Sequence, residues 1–96
     1  MIIDCHGHYT TAPKALEDWR NRQIAGIEDA ALMPKVSELK ISDDELRESI
    51  ETNQLAKMKA RGSDLTIFSP RASLMAHHIG DFSVSSTWAA ICNELC

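Results

Sequence analysis

Aromatic side chains are scarce in this sequence: two Trp, one Tyr and two Phe among 96 residues. Any core must therefore be built mainly from aliphatic groups. Cysteine is also rare, with Cys5, Cys92 and Cys96 odd in number and lacking a Cys-x-x-Cys pair. That pattern indicates neither a disulfide framework nor a zinc ribbon. Basic charge is in deficit, ten Lys and Arg against fourteen Asp and Glu for a net charge of −4. Nucleic acid and anionic membranes are bound through an excess of Lys and Arg, so neither is expected as a partner. No apolar run approaches the ~20 residues of a membrane-spanning helix. The N-terminus has no basic stretch before Asp4, so no signal peptide is expected and a cytoplasmic protein is the simplest reading. No repeat or low-complexity segment occurs.

Against these absences one stretch stands out, Ile2-Ile3-Asp4-Cys5-His6-Gly7-His8-Tyr9. Two β-branched residues followed by polar residues at every second position predict a buried strand that ends in chemistry. Strand alternation places Asp4, His6 and His8 on one face. Histidines two apart lie roughly 6.6 Å apart along a strand, and their imidazoles can converge on one metal ion at about 2.0–2.1 Å each. Asp4, one pleat deeper, is placed to act as the hydrogen-bond acceptor that a ligating histidine needs. Gly7 leaves the backbone free to bend. The competing reading makes both histidines structural, in a small non-catalytic α/β interaction module.

Further along, Thr11 is a candidate helix cap with Pro13 in the first turn. Leu16, Trp19 and Gln23 or Ile24 give a weakly amphipathic segment that fades near Gly26, followed by a surface excursion to Ile41. Ser42 and Glu45 form a capping box, with Asp43 and Asp44 at the positive end of the helix dipole. The spacing of Leu46, Ile50, Leu55 and Met58 predicts a helix over 43–61, closed by Arg61 and Gly62. Leu65-Thr66-Ile67-Phe68-Ser69 reads as a second buried strand stopped by Pro70. Ser83 or Ser85 can cap a last helix with Val84, Trp88, Ile91 and Leu95 on one face. Trp19 and Trp88 are expected to pack helices onto the sheet, and Cys92 and Cys96 to be buried.

Strand, helical crossover and strand make a parallel βαβ unit whose strands end on one edge. That places Ser69 and Arg71 beside His6 and His8. Two parallel strands need neighbours and covered faces, so the expected fold is the βαβα opening of a (β/α)₈ barrel, incomplete in this chain, with residues 1–96 the N-terminal part of one domain. The glycine fingerprint of a dinucleotide-binding sheet is missing after the first strand. His77 and His78, being adjacent, make a poor chelating pair.

The opening Ile-Ile-Asp-x-His-x-His resembles the amidohydrolase superfamily, whose first barrel strand carries a His-x-His metal pair. Three longer runs, His6 to Leu16, Ser69 to Ser73 and Met75 to Phe82, are similar to a hydratase branch of it. That resemblance implies a zinc-dependent lyase adding water to a small tricarboxylic substrate during bacterial breakdown of lignin-derived aromatics. It implies His6 and His8 as metal ligands, with the remaining ligands and the general acid or base lying beyond Cys96. Arg71 is the candidate carboxylate clamp, because a planar guanidinium binds carboxylate bidentately; its alternative is a surface ion pair. Ser69 is a candidate hydrogen-bond donor to the same substrate. A metal-dependent decarboxylase of the aminocarboxymuconate-semialdehyde type shares the opening strand and stays open, as do an inactive truncated product and a homo-oligomeric state. Residues 1–96 alone are expected to be inactive.

Overall fold

In the computed structural model, residues 1–8, 13–69 and 76–96 are described. Strand β1 (Ile3–His8) pairs in parallel with β2 (Leu65–Ser69). Between them run helix α1 (Lys14–Glu28), two 3₁₀ turns (Ala30–Leu32 and Val36–Glu38) and a long helical passage. That passage consists of α2 (Asp43–Ser49), a π-helical segment (Ile50–Leu55) and α3 (Ala56–Ala60). Helix α4 (Phe82–Glu94) follows β2. The order is thus the expected βαβα, with a crossover made of two helical stretches. Among the described residues, no helix is long and apolar enough to cross a membrane.

The crossover helix starts as its sequence dictates. The Ser42 hydroxyl accepts from the Glu45 N–H at 3.2 Å, and Glu45 Oε2 accepts from the Ser42 N–H at 2.8 Å. These bonds satisfy two of the donors every helix start exposes. Gly62 follows the C-cap Arg61 with φ +72°, the left-handed conformation that ends a helix. The π segment was not expected from the period. Asn53 there donates its side-chain amide to the Ser49 carbonyl at 3.0 Å, competing for an acceptor of the helical ladder.

Helix α1 runs through Gly26 instead of fading there. A Cβ at Gly26 would lie 2.6 Å from the Met33 Cα, so glycine is what lets the following turn fold back on the helix. Pro13 is the N-cap and so precedes the first turn, while Thr11 lies outside the described residues. Asp81, and neither Ser83 nor Ser85, caps α4: its Oδ1 accepts from the Val84 N–H at 3.0 Å, and both serines lie inside the helix.

The core sits between α1 and α4. Leu16, Trp19, Trp88, Ile91 and Cys92 form it, with Leu39, Ile41 and Leu95 packed alongside. The two indoles lie nearly parallel, 9° apart, with ring centroids separated by 6.3 Å. The tryptophans therefore pack helix on helix, which corrects the expectation that they pack helices on the sheet. Trp19 Nε1 donates to the Lys35 carbonyl at 2.9 Å, fastening the 3₁₀ region to α1. Arg20 is fully buried over the Trp88 ring, 4.9 Å from its centroid, and donates to Gln23 Oε1 at 2.6 Å. Burial pulls its guanidinium below the usual arginine range. Cys96, expected inside, is exposed.

Apart from Gly7, the strand residues are not buried. Ile3, Leu65 and Ile67 remain 52%, 52% and 57% exposed. Their β-branched and aliphatic composition fits a sheet covered on both faces, and among the described residues the apolar cluster does not reach them.

Candidate functional site

The site lies at the C-terminal ends of the paired strands. Register pairs Ile3 with Leu65 and Asp4 with Thr66, then Gly7 with Phe68 and His8 with Ser69. Three steps on β1 thus match two on β2, so β1 carries one extra residue between Asp4 and Gly7, a bulge. Thr66 and Ser69 are an odd number apart on a regular strand and face opposite ways. Their partners Asp4 and His8 must do the same. Asp4 accordingly lines a cavity of about 210 Å³ with Lys57, Arg61 and Thr66 on the crossover side. This corrects the expected grouping of Asp4 with both histidines.

Asp4 instead serves the bulge. Its Oδ1 accepts from the His6 backbone N–H at 3.0 Å. A bulged residue loses its place in the ladder, and this bond supplies the N–H with an acceptor. The two imidazoles meet beside it. His6 Nε2 and His8 Nε2 are 3.0 Å apart, with ring centroids at 4.8 Å and planes 79° apart. Two imidazole nitrogens sharing a tetrahedral ion at about 2.0–2.1 Å would be roughly 3.3 Å apart. The pair therefore fits one metal ion after a shift of a few tenths of an ångström, by donor type and by separation.

Ser69 completes the arrangement. Its Oγ lies 2.8 Å from His8 Nδ1 and donates to the Gly7 carbonyl at 2.9 Å. The acceptor expected behind the histidines is thus this hydroxyl and not the Asp4 carboxylate. In this structure the Ser69 proton is directed to the Gly7 carbonyl, where the sequence suggested a substrate as its acceptor. The signal available beforehand was the parallel pairing, which already put Ser69 next to His8.

Gly7 has its own role here. It is buried at the strand junction, and a Cβ there would come within 2.2 Å of Thr66 Cγ2 and 2.8 Å of the Ile67 carbonyl oxygen. Close strand approach, more than freedom to bend, requires glycine.

Arg71 lies outside the described residues. His77 and His78 are both exposed, with ring centroids 5.9 Å apart and planes 88° apart. Among the described residues, no group of three or more His, Cys, Asp or Glu side chains is placed to hold a metal ion. His6 and His8 are brought together as a pair.

A family model described as amidohydrolase matches residues 3–96. The chain is 58% identical over 95 residues to a 2-keto-4-carboxy-3-hexenedioate hydratase from Sphingobium sp., covering 99% of this chain and 27% of that protein. It also superimposes on the crystal structure of the 4-oxalomesaconate hydratase LigJ from Rhodopseudomonas palustris with a TM-score of 0.88 and 78% identity, covering all of this chain and 27% of that one. The chain thus spans about a quarter of the length of the relatives it matches.

Proposed function

The chain belongs to the amidohydrolase family, and from that premise we propose that it supplies the metal-binding opening of a hydratase acting on 4-oxalomesaconate or a closely related unsaturated keto acid. Members of the family are typically metal-dependent. The observation that carries the reading is the convergence of His6 Nε2 and His8 Nε2 to 3.0 Å at the end of a strand pair. The hydratase names of the two relatives support the choice of reaction.

In this reading His6 and His8 hold one divalent ion, zinc by the chemistry of imidazole donors. When bound, the metal supplies the Lewis acidity that makes water nucleophilic near neutral pH. The bulge at Cys5 and His6 aims one imidazole, and the Ser69 hydroxyl holds the other. Arg71 is proposed to take a substrate carboxylate bidentately, since a tricarboxylic substrate needs cationic partners. The remaining metal donors and the proton donor come from outside residues 1–96.

An exchange experiment tests this. Residues 1–96 replace the matching stretch of the Rhodopseudomonas palustris hydratase, and the chimera is assayed for bound metal and for hydration of 4-oxalomesaconate. The expected chimera holds metal and turns over, while its His6→Ala and His8→Ala variants lose both. A folded chimera without metal would remove the two histidines from the site. One with metal but without turnover would remove the hydratase reading.

A further inference from the structure

Ser69 ends β2 in register with His8, half-buried, with two short polar contacts from one oxygen. Oγ is 2.9 Å from the Gly7 carbonyl oxygen and 2.8 Å from His8 Nδ1. A serine hydroxyl has a single proton to give and lone pairs to receive with. The Gly7 carbonyl can only accept, so the contact with it uses that proton. If the proton went to His8 Nδ1 instead, two oxygens would face each other at 2.9 Å with only lone pairs between them. The contact with His8 therefore runs from an Nδ1–H into an Oγ lone pair.

A neutral imidazole carries one N–H. With that proton on Nδ1, His8 presents a lone pair at Nε2, the nitrogen 3.0 Å from His6 Nε2. In the metal-free chain, the short nitrogen–nitrogen contact then needs the other imidazole to donate, from His6 Nε2–H. We propose that Ser69 is a positioning residue that locks His8 in its Nδ1–H tautomer, relaying the Gly7 carbonyl through one hydroxyl to the ring. His8 is preset for a metal and His6 is not: on metal uptake His6 moves its proton from Nε2 to Nδ1, and His8 keeps the one it has. The tautomer lock is a property of the metal-free chain; only its consequence for metal affinity rests on the function proposed above.

The test uses the 96-residue chain with ¹⁵N-labelled histidine, metal-free, at a pH of about 8, above the range in which free imidazole takes up a proton. Long-range ¹H–¹⁵N correlations report which ring nitrogen carries the proton. In the wild type, His8 is expected to be protonated at Nδ1 and His6 at Nε2. Ser69→Ala should release His8 to a mixture of tautomers, and Ser69→Thr, which keeps a hydroxyl and suits a strand, should retain the lock. On zinc titration the His6 pattern should change while that of His8 stays, and Ser69→Ala should bind roughly 10–100-fold more weakly than wild type or Ser69→Thr. A wild-type His8 protonated at Nε2 or mixed between tautomers would overturn the proposal, as would a Ser69→Ala chain with His8 unchanged. A tautomer shift with equal zinc affinity in all three chains would uphold the lock and overturn the metal reading instead.

Discussion

A methyl group at Gly7 would meet two different neighbours, the Thr66 Cγ2 at 2.2 Å and the Ile67 carbonyl oxygen at 2.8 Å. The first is a side-chain end that can be trimmed; the second is strand backbone and cannot move without breaking the register. Gly7→Ala is therefore expected to destabilise the chain by about 1–3 kcal/mol, the usual cost of overpacking. Adding Thr66→Ser should recover only part of that loss. Urea unfolding of the two single variants and the double variant measures the coupling, and complete recovery would mean that the Ile67 carbonyl imposes no constraint. Which residues meet at the strand ends was legible at this scale: His6, Gly7, His8 and Ser69 could be named from β-branched patterning, spacing and parallel pairing. The role of Asp4 was not, because a bulge belongs to the register between two strands, and the alternation of either strand alone does not contain it. Which way the Ser69 proton points was equally hidden, since it depends on the Gly7 carbonyl of the neighbouring strand.

Elements with their own local chemistry could be read ahead of the structure, and those defined by packing could not. The capping box at Ser42 and Glu45 is a contract between residues three apart, so the sequence displays it; the same holds for Arg61 and Gly62 at the other end. Ser42→Ala should cost about 0.5–2 kcal/mol, visible as a lower urea midpoint with unchanged slope. An unaltered midpoint would mean that the crossover helix contributes nothing to the cooperative unit. The stacked Trp19 and Trp88 join segments far apart in the chain, and helical periodicity gives no partner for either. The 3₁₀ turn Val36–Glu38 offers a pH test. The Lys35 backbone N–H, 2.5 Å from Glu38 Oε2, and then Arg22 hold the Glu38 carboxyl below its ordinary range. A depressed carboxyl contributes order above its ordinary pKa of about 4.3 and loses it as pH falls through the lowered folded value. Exchange of the Lys35 amide should therefore accelerate on acidification through that window once the intrinsic pH dependence is removed. Glu38→Gln should abolish the step; a step that survives in that variant would assign it to another group.

At the scale of the whole molecule, the chain is elongated, with principal extents of 49 × 26 × 16 Å, and among the described residues its helical core includes no residue of the two-stranded sheet. Ile3, Leu65 and Ile67 are more than half exposed on strands whose composition suits full burial. Such a surface associates with itself or with other chains. Sedimentation is expected to show association of the isolated chain at micromolar concentration, reduced by Ile67→Lys; an unchanged distribution would move the contact elsewhere. The number of metal donors bears on catalysis. A catalytic zinc takes three protein donors and keeps a fourth position open, whereas the described residues bring together two imidazoles and no third donor. Two ligands leave the ion largely in water, so its affinity should be low and a nucleophile it activated would be solvated. Residues 1–96 alone are therefore expected to take up zinc weakly and to leave 4-oxalomesaconate unhydrated at any zinc concentration, whereas the chimera described above turns over. Loss of the substrate's conjugated absorbance, followed with the purified monomeric fraction, is the measurement. Hydration by that fraction, abolished by His8→Ala, would mean that residues 1–96 complete their own site, and the proposed division of labour between this chain and the rest of a hydratase would be wrong.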